Sequence, residues 1–428
     1  MAKTGGWYWV PSTFFAEGAP FAMVTSLSVI LFKSLDMSNE SIAFWTGLIA
    51  MPWAFKPLWA PVLDLFGTKR GWIIFFQLVM ALLFGAGALL VLSEPFSALL
   101  VALFFLIAFA SATHDVAADG FYLIALDSHG QAFFAGIRGT FYRVALVSVQ
   151  GGLVILAGLI GNRFGSTRLG WCAAFGLIAA AFLLLSLWHG LLLPRPQSDR
   201  AGLSSGGGLR EFWDAFRSFL ARPGVVWLIV FLFFFRIAEA QLGKMAVAFL
   251  KDKPSVGGLG LSLEEFGFLY QTCGVGAMIA GGVLGGFVVA RWGFAKTVWP
   301  LVAALNLPDL VYVYLSQTLP ESRILIGGCI AVEQFGYGLG YAAFMLVTIA
   351  ATEESGRFKT SHYAIMVGIT ILGLNLIGMA SGWVQERLGY PEFFRYVMIC
   401  TIPSFLVTIP MLKYVPRDFG CSRRSGKA

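Results

Sequence analysis

Long apolar runs, separated by short charged or turn-rich stretches, repeat along the whole chain. They fall at 7–32, 41–65, 71–92, 97–126, 131–160 and 169–193, and then at 223–250, 262–290, 295–316, 321–351, 358–385 and 391–415. About 20 apolar residues wound as a helix cross the hydrocarbon core of a bilayer. The pattern therefore predicts an all-α polytopic membrane protein of twelve transmembrane helices. The longest polar stretch, 194–222, divides them six and six and contains the run Ser204-Ser205-Gly206-Gly207-Gly208. It reads as a linker between an N-terminal bundle (1–193) and a C-terminal bundle with a short tail (223–428). Within it Leu209, Phe212, Trp213, Phe216 and Leu220 recur at helical spacing, opposite Arg210, Glu211, Asp214 and Arg217. That spacing predicts an amphipathic helix on the inner membrane face, tethering the two halves.

Composition narrows the class. Of 428 residues, 58% are hydrophobic and 12% charged, against about 25% charged in soluble domains. A soluble enzyme, a nucleic-acid binder and a disordered scaffold are excluded on that ground. The net charge of +7 reports topology. With both termini cytoplasmic, 17 of the 30 Lys and Arg residues fall on the inner side, 7 on the outer side and 6 within spans, the asymmetry of the positive-inside rule. Met1 to Gly6 runs directly into the first span with no cleavage site. The five cysteines are scattered and read as small core residues. No His, Cys or carboxylate cluster has metal-ligand spacing, and no Walker-type phosphate loop is present, so neither metal nor cofactor is expected. A catalytic reading of His114-Asp115 as a membrane acyltransferase lacks a nucleophile.

The halves echo one another. The turn after span two, Pro61 to Gly71, carries Asp64, Gly67, Lys69 and Arg70, and the turn after span eight, Gly285 to Lys296, carries Arg291. Duplicated halves are the architecture of many secondary transporters. The first turn resembles a shortened form of the signature loop of the major facilitator superfamily, without its leading glycine. Phe55-Lys56-Pro57-Leu58-Trp59-Ala60-Pro61-Val62-Leu63-Asp64 resembles the Lys-x-x-Trp-[Ser/Ala]-Pro-x-x-Asp segment of AmpG-type permeases. Ala112-Thr113-His114-Asp115-Val116-Ala117-Ala118-Asp119-Gly120 is similar to their fourth-span motif, with His114 in place of the usual Gln. The resemblance implies two pseudo-symmetric six-helix bundles and proton-linked uptake of a bulky polar solute. An anhydro-muropeptide comes first; a siderophore or acyl-CoA-like metabolite is the alternative. It also implies the bacterial inner membrane, and lipid and protons as the partners of a monomer.

Ionisable residues at bilayer depth are costly and so point to function. Glu17, Asp64, Asp115, Asp119, Glu239, Asp309 and Glu333 all fall in or at the edge of spans. Counting from the loops at ~1.5 Å per residue sets Glu17, Lys56, Asp115 and Arg143 at nearly one depth. Asp115 and Asp119, four residues apart, share a helix face, and Arg143 is the expected partner of Asp115. The expected proton carriers are Asp115, Asp119 and Glu17. The expected solute contacts are His114, Lys56 and Arg143 in the first half. In the second half they are Arg236, Glu239, Gln271, Glu333, Gln334, Tyr337 and Asn375. Asp64, Lys69, Arg70 and Arg291 are expected to form gate networks. His362 reads as interfacial.

Overall fold

The structure, a computed structural model, describes residues 5–93, 97–126, 128–197, 199, 208–353, 358–416 and 419. Among the described residues every regular element is a helix. Eleven helices among the described residues are long and apolar enough to cross a membrane. The twelfth expected crossing, span two, is made of two helices, Asn39–Ile49 and Met51–Leu65, which meet at Ala50. Pro52 explains the break: it has no N–H to give the preceding turn, and its ring is tolerated only in the first turn of a new helix. Span eleven, Lys359–Met379, is prolonged beyond Ala380 by the start of the helix Ser381–Cys400. That helix bends at Gly389, whose φ of 71° suits a residue without Cβ, and span twelve begins there.

The chain divides into two compact units. One comprises Met1–Leu35, Leu48–Glu211 and Ser262–Gly267; the other comprises Asp36–Gly47, Phe212–Leu261 and Phe268–Ala428. In the first unit, Pro20 interrupts the hydrogen-bond ladder of span one, and the chain continues as a π turn over Met23–Leu27. Span five carries a matching π segment, Ser148–Leu153. The two meet where Gln150 Nε2 donates to Ser26 Oγ at 2.7 Å. Gly18 lets span one lie directly against span five, since a Cβ there would fall 2.7 Å from the Tyr142 carbonyl oxygen. This contact places Glu17 beside the face of span five.

In the second unit, spans eight and ten are interlocked through glycines: a Cβ on Gly338 would fall 1.9 Å from the Met278 carbonyl oxygen, and one on Gly281 2.1 Å from that of Phe335. Small residues at such crossings let backbones approach where lipid offers no hydrophobic drive. The stretch between the two sets of spans contains a helix, Gly208–Leu220. It buries Ala215 and Phe219 while Trp213 and Leu220 stay exposed. The side chains of Leu209, Arg210, Glu211 and Phe212 lie outside the described residues. His362 is buried beneath this helix, with Nε2 at 3.0 Å from the Ala215 carbonyl and 2.9 Å from Ser218 Oγ. The helix covers the start of span eleven and so removes that imidazole from the surface.

Candidate functional site

The charged residues of the first unit collect around Asp115, on span four (Ser97–Ala125). Asp115 is 4% exposed. Its Oδ2 accepts a hydrogen bond from Trp53 Nε1 at 3.0 Å and lies 3.6 Å from Lys56 Nζ. Trp53 and Lys56 are three residues apart and so share a face of Met51–Leu65, which the break at Ala50 starts afresh. One helical turn along span four, Asp119 pairs with Arg138 of span five. The Arg138 guanidinium also lies over the Phe14 ring, 4.3 Å from its centroid. Glu17 is buried within electrostatic reach of Asp115, Asp119, Lys56 and Arg138. Glu17 Oε2 and Asp115 Oδ1 are buried without a hydrogen-bond partner among the described residues. Three carboxylates thus face two cations.

Two expectations for this unit are corrected. Arg143 does not meet Asp115: it is exposed, and among the described residues it makes no ion pair. Lys56 takes that place. His114 does not face an open site: it is fully buried, with Nε2 at 3.1 Å from Gln77 Nε2. Gln77 Oε1 accepts in turn from His189 Nδ1 at 2.9 Å, and His189 Nε2 lies 2.8 Å from Ser12 Oγ. With the amide so placed its NH2 donates to His114, so the His114 proton sits on Nδ1, which has no described partner. Gln77 and His189 were not anticipated, although a lone amide and a lone imidazole in apolar runs are the signal that marks them.

The gate network also differs. The Asp64 side chain lies outside the described residues. The Lys69 and Arg70 backbone N–H groups donate to the Asp199 carboxylate at 2.7 and 3.0 Å, which places an anion on the first turn of span three. The Arg70 guanidinium donates to the carbonyls of Leu193 at 3.1 Å and Gly190 at 2.5 Å, so it fastens the end of span six. Arg291 is exposed, with its guanidinium 5.6 Å from the centre of the Trp292 ring.

In the second unit Arg236 sits where the helices Val225–Phe234 and Ile237–Lys251 join within span seven. It pairs with Glu239, donating from Nε to Oε2 at 2.6 Å, and donates from Nη2 to Tyr337 Oη at 2.7 Å. Glu333 Oε2 accepts from Gln334 Nε2 at 2.9 Å and Tyr312 Oη at 3.4 Å. Arg236, Glu239, Glu333 and Tyr337 border a small cavity, lined also by Asn306 and Asp309. Gln271 is buried within the π segment of span eight, Gly267–Gly274, but does not line that cavity. Asn375 donates from Nδ2 to the Ile371 carbonyl of its own helix at 3.0 Å. Asp309, named among the acids of the spans but not among the expected solute contacts, joins them here. It ends a 3-10 turn, Leu307–Asp309, that interrupts span nine, and an acid following Pro308 in an apolar run is the sign of it.

Removing Arg236 leaves Glu239 uncompensated in this cavity. Arg236→Met is expected to destabilise the purified protein by about 3 kcal/mol, read as a lowered melting temperature. The double variant with Glu239→Leu should recover most of the loss. Equal melting of the single and double variants would contradict this account.

Fold and buried charge together define a multi-pass membrane transporter of the major facilitator fold. Residues 19–193 match the BT1 family. The chain is similar to the anhydromuropeptide permease of Escherichia coli K12, 24% identical over 403 residues that cover 92% of this chain and 77% of the relative. It is also similar to the putative transporter AmpG 4 of Rickettsia conorii, 22% identical over 91% of this chain and 92% of that one. Among solved structures, the crystal structure of a D-xylose-proton symporter superposes with a TM-score of 0.67 at 13% identity, covering 96% of this chain and 97% of that one. The expected resemblance to AmpG-type permeases and the expected fold both stand, and the relatives named are permeases and transporters rather than enzymes.

Proposed function

We propose that this chain is a proton-coupled permease that imports a bulky polar solute, an anhydromuropeptide first, across the bacterial inner membrane by alternating access, with both termini in the cytoplasm. The observation that carries the coupling is Asp115: a buried carboxylate with one oxygen held by Lys56 and Trp53 and the other unpartnered. It shares its surroundings with two further acids and only two cations. Burying an uncompensated charge is expensive, so this group of five is neutralised by one proton. When the solute's own carboxylate reaches Lys56 or Arg138, the balance shifts and the proton moves with it. Asp115 is the carrier in this reading, with Asp119 and Glu17 as its neighbours. Lys56 and Arg143 receive solute carboxylates, and Arg70 holds one access state. The choice of anhydromuropeptide is supported by the Escherichia coli relative, and proton coupling by the symporter of the same fold.

Proteoliposomes holding the purified chain should accumulate labelled anhydromuropeptide when the pH is lowered on the side from which the solute enters. A protonophore should reduce uptake to equilibration. Accumulation that survives the protonophore would sink the proton coupling, and absence of uptake would sink the substrate.

A further inference from the structure

The cavity of the second unit carries more acid than the Arg236–Glu239 pair accounts for. Its lining holds three carboxylates, Glu239, Asp309 and Glu333, and one cation, Arg236. Arg236 is committed to Glu239 and to the Tyr337 hydroxyl. Lys244, farther along the Glu239 helix, donates to the Ala43 carbonyl at 2.8 Å and does not line the cavity. Two carboxylates therefore remain. Glu333 has hydrogen bonds from Gln334 and Tyr312, as given above. Asp309 exposes only 6% of its surface, lines the cavity, and has no hydrogen bond or ion pair among the described residues. An unpartnered carboxylate in such a place is a binding group without its ligand.

The walls say what kind of ligand it is. A proton needs no cavity. A bare metal cation needs several oxygen ligands around it, whereas Phe235, Leu242 and Leu305 supply apolar surface to the same space. Two carboxylates and hydrocarbon in the lining of one cavity suit an ammonium head on an aliphatic stem. Its three N–H donors can reach Asp309, Glu333 and a neutral oxygen, and its methylenes pack on Phe235 and the leucines. We propose that the cavity bordered by Asp309 and Glu333 receives a primary ammonium group carried on a short aliphatic arm of the transported solute. The proposal rests on the reading of the chain as a solute permease and adds the chemistry of one end of that solute.

The test uses the full chain in detergent, with n-butylammonium as the probe and butan-1-ol as the uncharged control. Butylammonium should raise the melting temperature saturably, and butanol should not. In Asp309→Asn, which keeps the shape of the side chain, the concentration for half-effect should rise at least about tenfold, or about 1.4 kcal/mol. Glu333→Gln should act in the same direction. The melting curve of each variant shows whether it is folded. Equal effects of butylammonium and butanol, or an Asp309→Asn response like that of the wild type, would overturn the proposal in favour of protons alone on the two acids. In proteoliposomes, anhydromuropeptide with its amines acetylated should be taken up at least about tenfold less well than the free-amine form. Equal uptake of both forms would overturn the ammonium site and leave the permease reading standing. No uptake of either form, with the butylammonium response intact, would support the site and remove the muropeptide.

Discussion

Replacing Asp115 with asparagine is expected to abolish accumulation of solute while leaving downhill exchange largely intact. The substitution preserves shape, and the amide oxygen can still accept from the Trp53 indole, which bonds Asp115 at 3.0 Å in the native protein. It cannot bind a proton at this position, nor carry the negative charge that faces Lys56 across 3.6 Å. One proton per solute, at 1.36 kcal/mol for each pH unit, drives about tenfold accumulation across a one-unit gradient. Asp115→Asn should accumulate none, while counterflow of labelled against unlabelled solute continues within a few-fold of the native rate. The two assays separate coupling from binding and folding. If Asp115→Asn still concentrates solute tenfold, the carrier is Glu17 or Asp119.

The spans were legible because bilayer thickness sets a length and hydrocarbon sets a composition, and both are written in one dimension. What a single residue does to a span was less so. The break at Ala50 follows from Pro52, but apolar residues continue on both sides, so the run 41–65 reads as one helix. The break matters because it sets the orientation of the helix carrying Trp53 and Lys56 and lets that face meet Asp115.

Arg143 stands away from Asp115 for a related reason. Depth counting assumes a loop of some length between spans four and five, whereas the helices end at Ala125 and resume at Ser128. Asp115 lies 10 residues before Ala125 and Arg143 lies 15 after Ser128, a mismatch of five residues, or ~7 Å along a helix. Arg138 lies 10 after Ser128 and meets span four at Asp119. In the second half the pair Arg236–Glu239 was readable from its three-residue spacing. Glu333 and Gln334 bond each other as neighbours, but Tyr337 turned out to serve Arg236. Asp309 could be listed as an acid in a span, but its place beside Glu333 depends on how spans nine and ten cross. The His114–Gln77–His189 chain likewise joins three helices, and nothing along the sequence fixes that meeting.

That crossing geometry is itself open to test at Gly338. Valine there would put a Cβ 1.9 Å from the Met278 carbonyl oxygen and 3.0 Å from the Gly282 amide nitrogen. Both are backbone atoms, so no side chain can swing aside. Spans eight and ten would have to separate, losing contacts along the line that also includes Gly281 and Gly285, whose own Cβ positions lie 2.1 and 2.6 Å from carbonyl oxygens of span ten. Gly338→Val should cost about 3 kcal/mol, the upper end for overpacking a tight interior. It should appear as a large fall in melting temperature, or as loss of the monodisperse peak on size exclusion. Gly328 provides the control: it is on the same helix, Arg323–Glu353, with nothing within 4 Å of its Cβ position. Gly328→Val should melt close to the native protein, since the β-branched residue meets only open space. If both variants melted alike, the close approach of spans eight and ten would be wrong. The position of Glu333, five residues before Gly338 on that helix, would then lose its support. If they differ as expected, a milder Gly338→Ala should shift Glu333 without unfolding the unit. Uptake should then fall more than stability does, because a carboxylate displaced by an ångström no longer shares one ligand with Asp309.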